Sequence, residues 1–160
     1  MIYTAAFESG GIQFLVKADE TGIFSLDFHP GKKILDSEEL RPVTNKAFFG
    51  IKKQLDEYFA GKRKSFDLPI RFQKDGFKGE VYKVMKKIPY GKVLSYKEIA
   101  EKINRPLASR AVGGACGANT IPIIIPCHRV LATGGKLGGF SGGLDVKKKL
   151  LTLEGISFKL

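Results

Sequence analysis

Cys127, His128 and Glu154 supply a soft nucleophile, a base and a carboxylate that can orient the base. A thiol needs such help, because a free cysteine is only a few per cent thiolate at neutral pH. Cys127 follows the apolar run Ile121-Pro-Ile-Ile-Ile-Pro126, which reads as a buried strand bracketed by prolines. Burial alone raises a thiol's pKa and makes it inert, and an adjacent base reverses that. His128 follows directly, and Glu154 is the last acid in the chain, beside the end of the final helix. The competing account is a structural buried cysteine next to a surface histidine, and residue types alone favour it. Zinc is disfavoured, since ten residues separate Cys116 from Cys127 and the other histidine, His29, lies in the distant first half.

A second group of residues suggests contact with something outside the chain. Leu107–Gly117 reads as a helix in which Ala108, Ala111, Gly114 and Ala115, with Ala118 beyond it, leave an unusually small-sided surface. Glycine inside a helix costs roughly 1 kcal/mol against alanine, so the pair Gly113-Gly114 needs a reason. One is close packing on a neighbouring helix; another is approach to a narrow external feature such as a DNA groove. Arg110 is the one cation among these small residues, either solvated or placed for insertion. Charge leans toward a polyanion. The 160 residues carry a net charge of +11, but residues 1–75 hold 12 basic and 11 acidic side chains while residues 76–160 hold 15 and 5. Such asymmetry points to nucleic acid first and an anionic membrane second, against a merely lysine-rich solvated surface.

The elements that must position these residues form an α/β chain of two small domains, 1–75 and 76–160, divided near Asp75-Gly76 where pattern and charge both change. The first is a small α/β domain, a β-hairpin or sheet plus a helix. Ile12–Ala18 and Gly22–Phe28 alternate as strands around the turn Asp19–Gly22, with Tyr3–Phe7 alongside. A helix capped by Thr44 carries Ala47, Phe48, Ile51, Leu55 and Phe59 and stops at Gly61, and Phe66–Leu68 reads as a short edge strand. The second domain is mostly helical. Phe77, Val81, Val84 and Ile88 define one helix face, Ser95 and Glu98 form a capping box, Asn104 closes that helix and Pro106 opens the next, a helix-turn-helix. Gly134–Gly143 fits no phosphate-binding pattern and reads as a flexible loop closing over a site. A last helix near Asp145 carries Val146, Leu150 and Leu153 and ends at Gly155.

Several blocks together resemble one family. Ser95-Tyr96 opening a helix, Arg110-Ala-Val-Gly-Gly-Ala115, Asn119, Ile125-Pro-Cys-His-Arg-Val130, Ser141-Gly-Gly-Leu144 and Leu153-Glu-Gly155 are similar, in order, to the O6-alkylguanine-DNA alkyltransferases. The likeness covers about residues 76–158; the first half resembles that family's variable N-terminal domain only in length and pattern. It implies that Cys127 accepts an alkyl group irreversibly from O6 of guanine, and also from O4 of thymine, in duplex DNA after base flipping. It implies that His128, through a water, and Glu154 generate the thiolate, and that Tyr96 donates a proton to the departing guanine. Arg110 resembles the arginine that fills the gap in the base stack, on a helix whose Ala111, Gly114 and Ala115 face the minor groove. Asn119 resembles the hinge asparagine, and Val130, Ser141 and Gly142 resemble the base-pocket lining.

The resemblance implies no cofactor, no metal, a monomer and double-stranded DNA carrying O6-alkylguanine as partner. Three positions depart from the pattern. Thr120 stands where proline is frequent, Phe140 where tyrosine is frequent, and the first half has no cysteine for a zinc site. A non-catalytic lesion-binding relative is the alternative, though such relatives replace the cysteine with tryptophan. A cysteine hydrolase would leave the cationic half unexplained. No apolar run approaches the roughly 18 residues of a spanning helix, and the start lacks a signal-peptide pattern. A cytoplasmic protein with reduced thiols and no membrane partner is therefore expected.

Overall fold

A computed structural model describes residues 1–160. The chain divides into two compact units, Met1–Phe72 and Gln73–Leu160. The first is an antiparallel sheet ordered β1 (Tyr3–Ser9), β2 (Ile12–Asp19), β3 (Gly22–Phe28), then a one-turn helix α1 (Lys32–Leu35) and helix α2 (Ile51–Phe59). Phe7 and Phe14 face each other across β1 and β2 with stacked rings 5.4 Å apart. With Val16, Ile23, Leu26, Phe48, Ile51, Leu55 and Tyr58 they build the core, and α2 packs on β1.

Two expectations here are corrected. Thr44 does not cap the helix. The Asn45 side chain instead accepts from the Ala47 amide and starts a single 3₁₀ turn, Lys46–Phe48. Phe49 (φ 55°) and Gly50 (φ 76°) are left-handed and break the path, so α2 begins at Ile51. Phe66–Leu68 forms no strand, because Gln54 occupies the Asp67 backbone, donating to its carbonyl and accepting from its amide at 2.9 Å each. The sheet edge is met only by the isolated Ile23–Ile70 bridge.

The second unit comprises α3 (Gly76–Lys86), β4 (Leu94–Ser95), α4 (Tyr96–Lys102), α5 (Ser109–Gly117), β5 (Val130–Leu131) and α6 (Leu144–Leu153). Helix α3 buries Gly79, Val81, Tyr82 and Met85, a face rotated from the expected one, leaving Phe77 and Val84 half-buried. The capping box is present, with the Glu98 amide donating to Ser95 Oγ at 3.0 Å and the Ser95 amide to Glu98 Oε1 at 3.1 Å. Asn104 is left-handed (φ 60°) after α4. Pro106 does not open α5; it lies in the turn closed by the Ala108 amide on the Arg105 carbonyl, and α5 starts at Ser109. In α6, Leu151 is buried and Leu153 only half-buried.

The largest departure concerns Ile121–Pro126, which is a tight buried turn rather than a strand. Ile123 is left-handed (φ 72°), and the Ile125 amide donates to the Ile121 carbonyl. Pro122 and Pro126 lack the N–H groups that a strand ladder needs. Asn119 substitutes for the ladder, its Nδ2 donating to the Ile125 carbonyl at 2.9 Å and its Oδ1 accepting from the Ile121 amide at 3.0 Å. The exit from this turn, β5, pairs in parallel with β4, Leu94 against Val130 and Ser95 against Leu131. Tyr96 follows β4 directly, and Cys127–Arg129 precede β5 directly, so this pair of two-residue strands brings Tyr96 and Cys127 to one place.

Candidate active site

Cys127 starts a single 3₁₀ turn, Cys127–Arg129, whose three side chains are all buried. It opens onto a cavity of about 550 Å³ that is also lined by Tyr96 of α4, Ser109, Arg110, Gly113 and Cys116 of α5, and Gly139, Phe140 and Ser141 of the glycine-rich loop. Among the pocket residues expected from sequence, Ser141 lines this space. Gly142 and Val130 do not; Val130 is fully buried in the β4–β5 pair. Asn119 sits behind the wall and sets the shape of the turn that delivers Cys127.

His128 is fully buried, which removes the surface-histidine account. Its Nε2 lies 2.5 Å from Glu154 Oε2. Glu154 Oε1 also accepts from Arg129 Nε at 2.8 Å and from the Gly91 amide at 3.0 Å, and Oε2 accepts from Arg129 Nη2 at 3.2 Å. A carboxylate held by a guanidinium and an amide is an acceptor, so Nε2 carries the imidazole proton. The lone pair is then on Nδ1, which is buried and has no hydrogen-bond partner in the protein. Burial holds His128 below the ordinary histidine range, against the opposing pull of Glu154, and so keeps it a neutral base.

Burial pushes the Cys127 thiol up, and the Asn119 amide, the Lys147 ammonium and backbone amides of the 3₁₀ turn all oppose that rise. Cys116 lies in the same cavity wall, and burial drives its thiol up to about 12; its Sγ is 3.5 Å from Met85 Sδ. Of the two thiols, only Cys127 adjoins a base in sequence and receives the Asn119 amide. Burial also raises the Tyr96 phenol, keeping it protonated, with the Gly139 backbone N–H directed at it. Gly138 (φ 68°) is required at this point, because a Cβ there would lie 2.6 Å from the Tyr96 hydroxyl.

The outer face of α5 presents Arg110, Ala111, Gly114 and Gly117, all exposed. Ala115 is buried and belongs to the packing side of the helix, so it is removed from the expected groove-facing set. Of the small residues, Ala115 thus packs inward beside Val112, while Ala111 and Gly114 stay at the surface.

Two large matches follow this geometry. Residues 76–156 fit the model for the 6-O-methylguanine DNA methyltransferase DNA binding domain, and residues 2–72 fit that for the same family's ribonuclease-like domain. The chain belongs to the 6-O-methylguanine DNA methyltransferase family. It is 43% identical to the methylated-DNA–protein-cysteine methyltransferase of Methanosarcina acetivorans, over 96% of this chain and 99% of that protein. The crystal structure of Mycobacterium tuberculosis O6-methylguanine methyltransferase superposes with a TM-score of 0.83 at 36% identity, covering 96% of this chain and 93% of that one. The enzyme from Pyrococcus kodakaraensis superposes at 0.70 with 26% identity, covering 98% and 100%. A structure of the M. tuberculosis protein in complex with DNA also matches, with a TM-score of 0.83 over 95% of this chain.

Two buried, hydrogen-bonded cations beside the site carry no role in the sequence analysis. Arg129 stood inside the Cys-His-Arg-Val block without a role, and Lys147 was hidden in the Lys147-Lys-Lys149 run. A helical wheel carries the signal for the second, since Lys147 falls one turn from the buried Leu150 and Leu151. Both cations are buried, so part of the second unit's charge excess is not on its surface.

Proposed function

We propose that this chain repairs alkylated duplex DNA by moving the alkyl group from O6 of guanine, and from O4 of thymine, onto Cys127. The observation that carries this reading is the buried series Cys127, His128 with its free Nδ1 lone pair, and Glu154, opening on a cavity beside the exposed face of α5. The Cys127 proton passes, through one water, to His128 Nδ1. The thiolate attacks the alkyl carbon; an S–C bond forms and the C–O6 bond breaks, leaving its electron pair on the base. Tyr96 supplies a proton to the guanine ring, so the leaving group is neutral guanine and the thiol proton is the one gained overall. The thioether does not hydrolyse, so each molecule acts once.

The target oxygen lies in the base stack, so the nucleotide must rotate out, at a cost of a few kcal/mol. Arg110, exposed at the cavity mouth, is placed to fill the gap, while Ala111 and Gly114 let α5 enter the minor groove. The surface lysines give sequence-independent affinity. Residues 1–75 act as a structural domain and residues 76–160 hold DNA and accept the group. The protein works as a monomer in the cytoplasm.

Duplex DNA carrying radiolabelled O6-methylguanine tests this against its rivals. Label should move to protein in a one-to-one ratio and then stop. Binding without transfer would instead indicate a lesion-recognition protein, and inertness toward the DNA would leave a cysteine hydrolase.

A further inference from the structure

A second cavity of the second unit, about 440 Å³ in volume, shares no lining residue with the one at Cys127. Its size is that of a ligand pocket, roughly 300–1,000 Å³. The floor is apolar: Ile88 is buried, Val84 and Leu94 are half-buried, and Val93 is exposed. Lys87 just after α3, Lys92 in the loop before β4 and Lys102 at the end of α4 also line it, all three exposed. No acidic side chain lines the cavity, and none of the chain's ion pairs includes these lysines. Three like charges around one concave apolar floor raise a local positive potential. The cavity is also preformed, because residues 88–94 are tied down from within. The Ile88 carbonyl accepts from Arg129 Nη1 at 2.7 Å, the Gly91 amide donates to Glu154 Oε1 at 3.0 Å, and the Tyr90 hydroxyl donates to the Leu153 carbonyl at 3.2 Å. A floor fixed before anything binds lowers the ordering cost of binding.

We propose that this cavity docks an acidic segment of a partner protein, one that carries an apolar side chain between carboxylates. The apolar side chain fills the floor, and the carboxylates meet Lys87, Lys92 and Lys102. The lysines set the sign of the partner's charge, and the floor sets its class. Duplex DNA offers these lysines phosphates, but its phosphate edge carries nothing apolar for the floor. An anionic membrane is flat and would leave a concave floor unfilled. Exposed ion pairs are individually weak and salt-sensitive, so the contact is transient and the apolar anchor carries much of it. The proposal does not depend on which residue accepts an alkyl group.

The test is an NMR titration of the isotope-labelled full chain with a capped pentapeptide in which leucine is flanked on each side by two glutamates. The amide signals of Lys87, Lys92, Val93, Leu94 and Lys102 should move, those of Arg110, Ala111 and Gly114 on α5 should stay, and the Kd should be about 1 mM. The combined variant Lys87→Gln, Lys92→Gln, Lys102→Gln should bind about tenfold more weakly, the scale of three exposed pairs. All three positions are exposed, so the variant keeps the fold. A peptide with serine in place of leucine should also lose about tenfold, the scale of one lost apolar anchor. No movement of these signals at about 5 mM peptide overturns the proposal. So does equal binding of the serine peptide, which would leave charge attraction alone. Movement of the same signals on adding a short undamaged duplex, with displacement of the peptide, would give the cavity to DNA and overturn the proposal. Movement on concentrating the chain by itself would give it to a second copy, with the same consequence.

Discussion

The two units bury different kinds of matter. In Met1–Phe72 the interior is aromatic and aliphatic, and Ser9 is its one buried polar residue. In Gln73–Leu160 the interior also holds Asn119, His128, Arg129, Lys147 and Glu154, each bonded to a backbone group or another of the set. Apolar burial stabilises without specifying reactivity. A buried polar network sets proton positions and charges, and it is costly wherever one member is left unmatched. The division of labour proposed above, stability from the first unit and chemistry from the second, follows this difference.

The largest effect should come from the node of the network. Glu154→Ala leaves Arg129 buried without its carboxylate, which should cost about 3–5 kcal/mol, and it frees the His128 ring. A denaturation midpoint and a transfer rate should both fall. Phe14→Ala removes the centre of the aromatic cluster in the first unit and should cost about 3–5 kcal/mol of that unit's stability. Its transfer rate per folded molecule should not change, and an equal loss of rate would erase the division between the units.

How much of this was legible in sequence divides along the same line. The hairpins were readable because period-two alternation and glycine turns are local signals, and the Ser95–Glu98 box is a pattern of spacing. Ile121–Pro126 was misread because apolar composition does not distinguish a strand from a buried turn; the deciding group, the Asn119 amide, lies outside the run. Cys127, His128 and Glu154 were found through the signature they share with a family. Their order, with Nε2 on the carboxylate and Nδ1 free, needs the packing of α6 against the 3₁₀ turn. Lys147 looked like surface because lysine runs usually are, and only the carbonyls of Val130, Leu137 and Gly139, brought over α6 by the fold, make it otherwise.

Smaller effects sharpen the comparison. His128 is held neutral in the folded chain, below its ordinary value of 6.5. The unfolded chain takes up a proton first as pH falls. The stability contributed by the neutral ring is therefore complete above 6.5 and declines as pH drops below it. Urea midpoints across that range should show the slope, and His128→Gln should flatten it. Ser95→Ala, at the exposed capping box, should cost only about 1 kcal/mol, with a modest rate loss because Tyr96 is the first residue of α4.

Peptide mapping after reaction with duplex O6-methylguanine tests the central claim most directly. Two buried thiols share one cavity, and burial pushes both of them up; Cys127 is singled out by the buried His128–Glu154 pair that follows it and by the Asn119 side chain, which opposes the rise. The account predicts one added methylene on the peptide containing Cys127, none on that containing Cys116, and full transfer by Cys116→Ala. Methyl on Cys116, or transfer surviving in Cys127→Ala, would contradict it.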